Sequence, residues 1–276
     1  MAGFRRLRTL SSWRSISLHT WSKPRDPTVY GSLEIDATNA LELLHAQTAA
    51  SGVKVTLTHL VGKAIADAIA VRPDVNAVIR RGRTIYQRDS IDVFFQVAFE
   101  GGEDLSGAKV DGADRKSLVE IARELADRAE RIRSHHDDRL TEKRAIVSKV
   151  PSVLRGVALR AAEYLDYDLG LDLSRFGIPH DAFGSVMVTN VGMFGLPQGF
   201  APLVPFSRAP IVLTVGTVER RPRVVGESVQ IRPILPIGVT LDHRLLDGYQ
   251  IGRIAQRFRE VLEDPARALA AQPLPD

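Results

Sequence analysis

Asp242-His243-Arg244-Leu245-Leu246-Asp247-Gly248 places an imidazole and a carboxylate four residues apart and closes on a glycine. Histidine is the side chain suited to moving a proton near neutral pH. Val229–Leu241 before it reads as a strand, and Tyr249–Leu262 after it repeats its apolar residues at helical spacing. His243 therefore belongs where a strand hands over to a helix, held by backbone on both sides and free to face a cleft. A lone histidine also serves in purely structural turns. The bend leaves the His243–Asp247 geometry open, so on pattern alone the acid–base and structural readings both stand.

Thr189-Asn190-Val191-Gly192 follows a second β-like run, Gly184–Val188. A hydroxyl beside an amide and a glycine turn can donate hydrogen bonds to a developing oxyanion. The plainer reading is that Thr189 and Asn190 only end a strand. His135-His136-Asp137-Asp138 has metal-ligating types, but neighbouring histidines do not face one way on a helix and no second cluster joins them. They read as a solvated helix end, so no metal is expected. His19, His45, His59 and His180 stand alone. There is no phosphate-cradling GxxxxGK[ST] run, no GxSxG elbow and no cysteine, which excludes a thiolate nucleophile and a disulfide framework.

The elements that must position these residues follow from periodicity. Leu33–Ile35 reads as a strand, and Asp36 or Thr38 caps a helix to about Ala50, stopped by Gly52. Val53–Leu57 reads as extended, and His59–Val71 as a helix ended by Pro73. Val75–Ile79 and Thr84–Gln87 flank Arg80-Arg81-Gly82-Arg83 as a hairpin, and Ser90–Phe99 alternates as a half-buried strand. Ser117 and Glu120 form a capping box for a helix to about Ser134. Within 139–182, Val153, Leu154, Val157, Ala158 and Ala161 suggest a further helix, and Pro179 lies in a loop. Strands follow at 184–190, 210–218 and 229–241. The mixture lacks a regular βαβ rhythm, and one α+β domain over 1–276 is the simplest reading.

With 44% hydrophobic and 25% charged residues, the 276-residue chain can build a core without disulfides. No apolar run approaches the roughly 18 residues of a membrane span, and no membrane partner is expected. The net charge of +4 lacks a basic stripe interleaved with aromatics, which argues against nucleic acid. Residues 1–25 carry Arg5, Arg6, Arg8, Arg14, Lys23 and Arg25 and no acid. That composition fits a transit peptide or an N-terminal arm of the domain.

Together, Thr189-Asn190-Val191-Gly192-Met193-Phe194-Gly195 and Asp242-His243-Arg244-Leu245-Leu246-Asp247-Gly248 resemble the catalytic domain of the dihydrolipoamide acyltransferases of 2-oxo-acid dehydrogenase complexes. The family pattern is a Ser/Thr-Asn-x-Gly turn, then Asp-His-Arg-x-x-Asp-Gly near the C-terminus. Ser12-Trp13-Arg14-Ser15-Ile16 and Ser22 resemble its opening arm, which assigns residues 1–28 to the domain rather than to a leader. Leu33–Asp36, Val55–Thr58 with Lys63-Ala64, and Pro73–Ala77 resemble further family segments.

The resemblance implies a fold like that of chloramphenicol acetyltransferase, a mixed sheet with packed helices. It also implies a homotrimer with the active site at the subunit interface. His243 would be the general base on the thiol of coenzyme A or dihydrolipoamide, and Thr189 the oxyanion donor. Asp247 would fix the local structure by pairing with Arg14, with Asn190, Arg244 and Gly248 in support. Coenzyme A enters as substrate. No lipoyl domain is evident in the sequence, so a lipoyl group would come on a separate carrier, with other 2-oxo-acid dehydrogenase components as further partners and the bacterial cytoplasm as the expected setting. Three departures stand out: Asp104–Val110 lacks the family's proline turn, 139–182 is a family-atypical insertion, and Pro205-Phe206-Ser207-Arg208 replaces Asn-Pro-Pro. The tail Ala270–Asp276 is less apolar than those that join trimers into cages. Two alternatives follow: a non-catalytic scaffold keeping the fold, or transfer to a small non-lipoyl acceptor.

Overall fold

The computed structural model describes residues 26–81, 84–99, 104–133, 152–171, 173 and 179–270. Arg14 and the rest of the arm to Arg25, the His135–Asp138 cluster and the tail from Ala271 lie outside the described residues. In chain order the elements are β1 (Thr28–Asp36), α1 (Thr38–Ser51), α2 (Leu57–Ala70), β2 (Ala77–Arg80), β3 (Thr84–Gln87), β4 (Val93–Phe99) and β5 (Asp104–Val110). There follow α3 (Leu118–Arg133), α4 (Ser152–Glu163), β6 (Val186–Asn190), β7 (Ile211–Val215), β8 (Glu219–Val225), β9 (Ser228–Asp242), α5 (Gly248–Glu263) and α6 (Pro265–Ala270). The architecture is the expected α+β arrangement around a mixed sheet.

The sheet runs β1-β9-β7-β6-β4-β5, with β8 on β9, while β2 and β3 form a separate hairpin. β6 is parallel to both β4 and β7, and the remaining pairs of the sheet are antiparallel. Side chains alternate across it. Val186, Val188, Ile211, Leu213, Val215, Leu235, Ile237 and Leu241 face a helical layer built from α2, α3 and α5. Met187 and Val212 face the other way and join a smaller cluster with Ala209. β7, buried at every position, is the fully covered strand of the sheet.

Local chemistry sets the element ends. Asp36 Oδ1 accepts the Thr38 amide at 3.0 Å where α1 starts, and Gly52 ends α1 with φ of 69°, a conformation that favours glycine. Ser117 and Glu120 make the capping box of α3. α2 differs from the extended reading of Val53–Leu57: it already begins at Leu57. Thr56 caps it, and the Thr56 amide donates to His59 Nδ1 at 3.2 Å. An imidazole there does the work of the usual Glu or Gln. Burial holds His59 neutral, its pKa pushed down to about 4.

Asp104–Val110, read from sequence as an altered turn, is strand β5, paired along β4 from Phe99↔Asp104 to Val93↔Val110. β1 is longer than Leu33–Ile35 because β9 supplies a ladder from Thr28↔Asp242 to Asp36↔Ile234. β8 escapes a hydrophobic-periodicity reading: its residues are mostly charged, and Arg221 and Arg223 both pair with Glu34.

Candidate active site

Asp242 closes β9, and its carbonyl accepts the amides of Leu245 and Leu246 at 3.0 and 3.2 Å, folding the chain into a tight turn. Leu246, 1% exposed, pins the turn into the core. The His243 amide donates to Pro27 O at 3.0 Å, which ties the turn to the start of β1. The buried Asp242 carboxylate takes a forked pair of bonds from Arg244, Nε to Oδ1 at 2.9 Å and the terminal nitrogen to Oδ2 at 2.5 Å. That pairing assigns Arg244 a structural bond that the motif alone did not disclose; the signal for it is an acid and an arginine two residues apart.

Asp247 is the N-cap of α5. Its Oδ1 accepts the Tyr249 and Gln250 amides at 2.9 and 3.1 Å, and its own amide donates to Gln250 Oε1 at 3.0 Å. The expected Arg14 partner lies outside the described residues; of the two carboxylate oxygens, Oδ1 is the one taken by the helix. Gly248 is the first residue of α5 with open space where a Cβ would stand, so no contact demands glycine there. His243 is left exposed at the tip of the turn.

Thr189 sits near the end of β6, half-buried, on the same sheet face as Met187. Asn190 points into the helical layer. Its Nδ2 donates to Thr58 Oγ1 at 2.8 Å at the start of α2, and its Oδ1 accepts the Met193 amide at 3.2 Å. The asparagine thus locks the turn to α2. Thr58 was missed as a site residue because nothing in its own neighbourhood points to Asn190. A Cβ on Gly192 would meet Gly216 backbone at 2.5 Å, which is why the turn needs glycine. Among the described residues, neither the Thr189 hydroxyl nor the His243 ring has a hydrogen-bonding partner. No group of three or more His, Asp or Glu that could hold a metal occurs among them.

Thr189 and His243 do not meet within the chain. Thr189 is in register with Thr214 of β7, and Thr214 with Gly238 of β9. His243 follows Asp242, the last residue of β9, beyond the start of β7, so the two groups occupy opposite ends of the sheet. At the spacings of a sheet they are about 20 Å apart.

Both motifs thus stand at strand ends of one mixed sheet, the setting of a family of acyltransferase catalytic domains. The model of the 2-oxoacid dehydrogenases acyltransferase (catalytic domain) matches residues 17–144 and 180–270, and the chain belongs to that family. The chain is 28% identical over 240 residues to the dihydrolipoyllysine-residue succinyltransferase component of 2-oxoglutarate dehydrogenase complex 1 of Arabidopsis thaliana, covering 86% of this chain and 42% of that protein. It is 25% identical over 254 residues to the dihydrolipoyllysine-residue acetyltransferase component of the pyruvate dehydrogenase complex of Zymomonas mobilis, covering 91% of this chain and 48% of that one. The chain thus spans less than half the length of these relatives.

Its fold is that of the cubic core of the pyruvate dehydrogenase multienzyme complex, with a TM-score of 0.65 at 22% identity over 89% of this chain and 85% of that one. It is also that of the Azotobacter vinelandii dihydrolipoamide acetyltransferase, a structure determined to examine a serine, a histidine and an asparagine in that enzyme's mechanism. There the TM-score is 0.64 at 23% identity, again over 89% of this chain and 85% of that one.

Proposed function

We propose that the chain is a coenzyme A-dependent acyltransferase that moves an acyl group between a thioester and the thiol of coenzyme A or dihydrolipoamide. The observation that carries the reading is the placement, at opposite ends of one sheet, of a hydroxyl and an imidazole that have no hydrogen-bonding partner among the described residues. Neither end is a complete site, and a head-to-tail ring of copies completes each with the other. A homotrimer is the smallest closed ring with this property that the family resemblance supports.

His243 accepts the proton of the attacking thiol, which at a pKa of roughly 8.5 is mostly protonated at neutral pH. The sulfur adds to the thioester carbonyl while Thr189 of a neighbouring copy donates a hydrogen bond to the oxyanion. The tetrahedral intermediate then collapses, the original C–S bond breaks, and the departing thiolate takes the proton back from His243. Both substrates are bound together, so no acyl-enzyme is required. Asn190 and Thr58 hold the donor turn; Asp247, Asp242 and Arg244 hold the base turn. The acyl group arrives on a lipoyl group or as a free thioester.

Residues 139–182 are an insertion in a single catalytic domain on this reading, and the break in the family match from 145 to 179 supports it. The test is thioester exchange between acyl-CoA and dihydrolipoamide by the wild type and by His243→Ala. The expected result is a loss of turnover of at least about 100-fold, the usual range for a positioned base. Unchanged turnover in a folded His243→Ala protein sinks the assignment.

A further inference from the structure

α4 lies in the part of the chain that the family model does not match, and its apolar residues face the wrong way for a helix that only covers a core. At 3.6 residues per turn, Leu154, Val157, Ala158 and Ala161 share one arc, with Glu163 opposite. Glu163 faces the body of the protein: its carboxylate takes Arg208 Nε at 2.7 Å. The following turn is fixed as well, with Asp168 on Arg208 at 2.5 Å and Tyr167 Oη 2.8 Å from Asp181 Oδ1. The helix is thus anchored at its C-terminal end by Glu163, and the apolar arc of Leu154, Val157, Ala158 and Ala161 is exposed. Leu154 and Val157 are 52% and 60% exposed.

The anchor places α4 at the His243 end of the sheet. Glu163 and Arg208 line an open cavity of about 500 Å³ together with Asp242 and Arg244, the neighbours of His243. A second apolar surface lies at the other end. Residues 191–196, directly after Thr189-Asn190 and bonded to the far end of β7 through the Val191 amide on Val215 O, contain no charged residue. Within them Met193, Phe194 and Leu196 are 61%, 50% and 49% exposed. Contiguous exposed apolar surface of this kind marks contact sites.

We infer that the outward arc of α4 in one copy packs on the Met193–Leu196 turn of the next copy, so that the insertion is an interface element of the ring. This rests on the shared-site reading above. Bringing the Thr189 end of one copy to the His243 end of another brings these two unpartnered apolar surfaces to the same junction. The occupant is a second copy of this chain, because its own surface supplies the complementary patch where the chemistry requires contact.

Two measurements test it. Leu154→Glu/Val157→Glu places two carboxylates on exposed positions, where folding tolerates them and an apolar interface does not. Sedimentation equilibrium is expected to show self-association weakened by at least about 100-fold, with thioester exchange falling in parallel. The chain has no cysteine, so Val157→Cys/Leu196→Cys with a short bis-maleimide is expected to give covalent oligomers up to the trimer, which neither single variant gives; this arm decides the matter if the charged variant fails to fold. A charged variant that associates and turns over like wild type overturns the inference and leaves the shared-site reading intact. So does a variant that keeps its oligomer but loses binding to phosphatidylglycerol vesicles, which assigns the arc to a lipid surface. A monomeric wild type without exchange activity overturns both.

Discussion

Thr189 and His243 stand at opposite ends of the same sheet, with β7 between their strands and about 20 Å between them. A base and an oxyanion donor must both lie within hydrogen-bonding reach of one reacting carbonyl and thiol. With Thr189 and His243 in the proposed roles, a single chain does not meet that requirement.

The consequence is complementation between inactive copies. Thr189→Ala and His243→Ala oligomers, each poorly active alone, are mixed and allowed to exchange subunits. In a randomly mixed ring about a quarter of the junctions join an intact His243 to an intact Thr189, so about a quarter of wild-type exchange activity is expected to return. Activity that stays at the sum of the two parents shows that the site is not shared.

Asp247 separates capping from catalysis. Asp247→Ala removes the acceptor of the Tyr249 and Gln250 amides and is expected to destabilise the fold by about 1 kcal/mol. Asp247→Asn keeps an N-cap oxygen and is expected to melt close to wild type. If Asp247 instead carried protons, Asp247→Asn would lose turnover as heavily as His243→Ala while melting normally. Thermal unfolding and exchange assays on the same preparations decide it.

Gly238 carries the segment after the Thr189 turn. A Cβ there would stand 1.9 Å from Gly199 O, a backbone atom that cannot rotate away. Gly238→Ala is expected to push the 197–200 segment off the sheet, costing about 1–3 kcal/mol and reducing turnover through misplacement of the donor turn. Gly252→Ala, in open space on α5, is the control and is expected to be neutral or mildly stabilising. Denaturant melts that rank the two the other way refute the argument.

His59 makes stability depend on pH. Its pKa falls from the ordinary 6.5 to about 4 on folding because burial disfavours the cation. The unfolded chain therefore binds the proton more readily, and stability present above pH 6.5 is lost as pH falls towards 4. Protonation also turns Nδ1 from acceptor to donor and breaks the capping box with the Thr56 amide. His59→Gln retains a box acceptor without titrating. Its unfolding free energy is expected to decline less than that of wild type between pH 6.5 and 4. Parallel declines refute the assignment.

The local features were legible in the sequence because each is set by a few neighbouring residues. Gly52 had to stop α1, Ser117 and Glu120 had to box α3, and the residues after Gly248 had to lay one apolar face on the core. The junction of strand and helix at His243 followed from the change of period on either side of it. The motif pair also pointed to a shared junction, through resemblance rather than through any physical property of the two segments.

What tertiary structure alone decided is every relation between residues distant in the chain. Periodicity carries no record of which strands become neighbours, so β8 and β5 were unread as strands and the length of β1 was fixed only by its partner β9. Asn190 found Thr58, and Glu163 and Asp168 found Arg208, across gaps that no local rule spans. The same holds for the outward turn of the α4 arc, since an amphipathic sequence defines a face and the anchor at its polar end decides what that face meets. Strand order and direction, set by the summed packing of the whole sheet, put Thr189 at one end and His243 at the other.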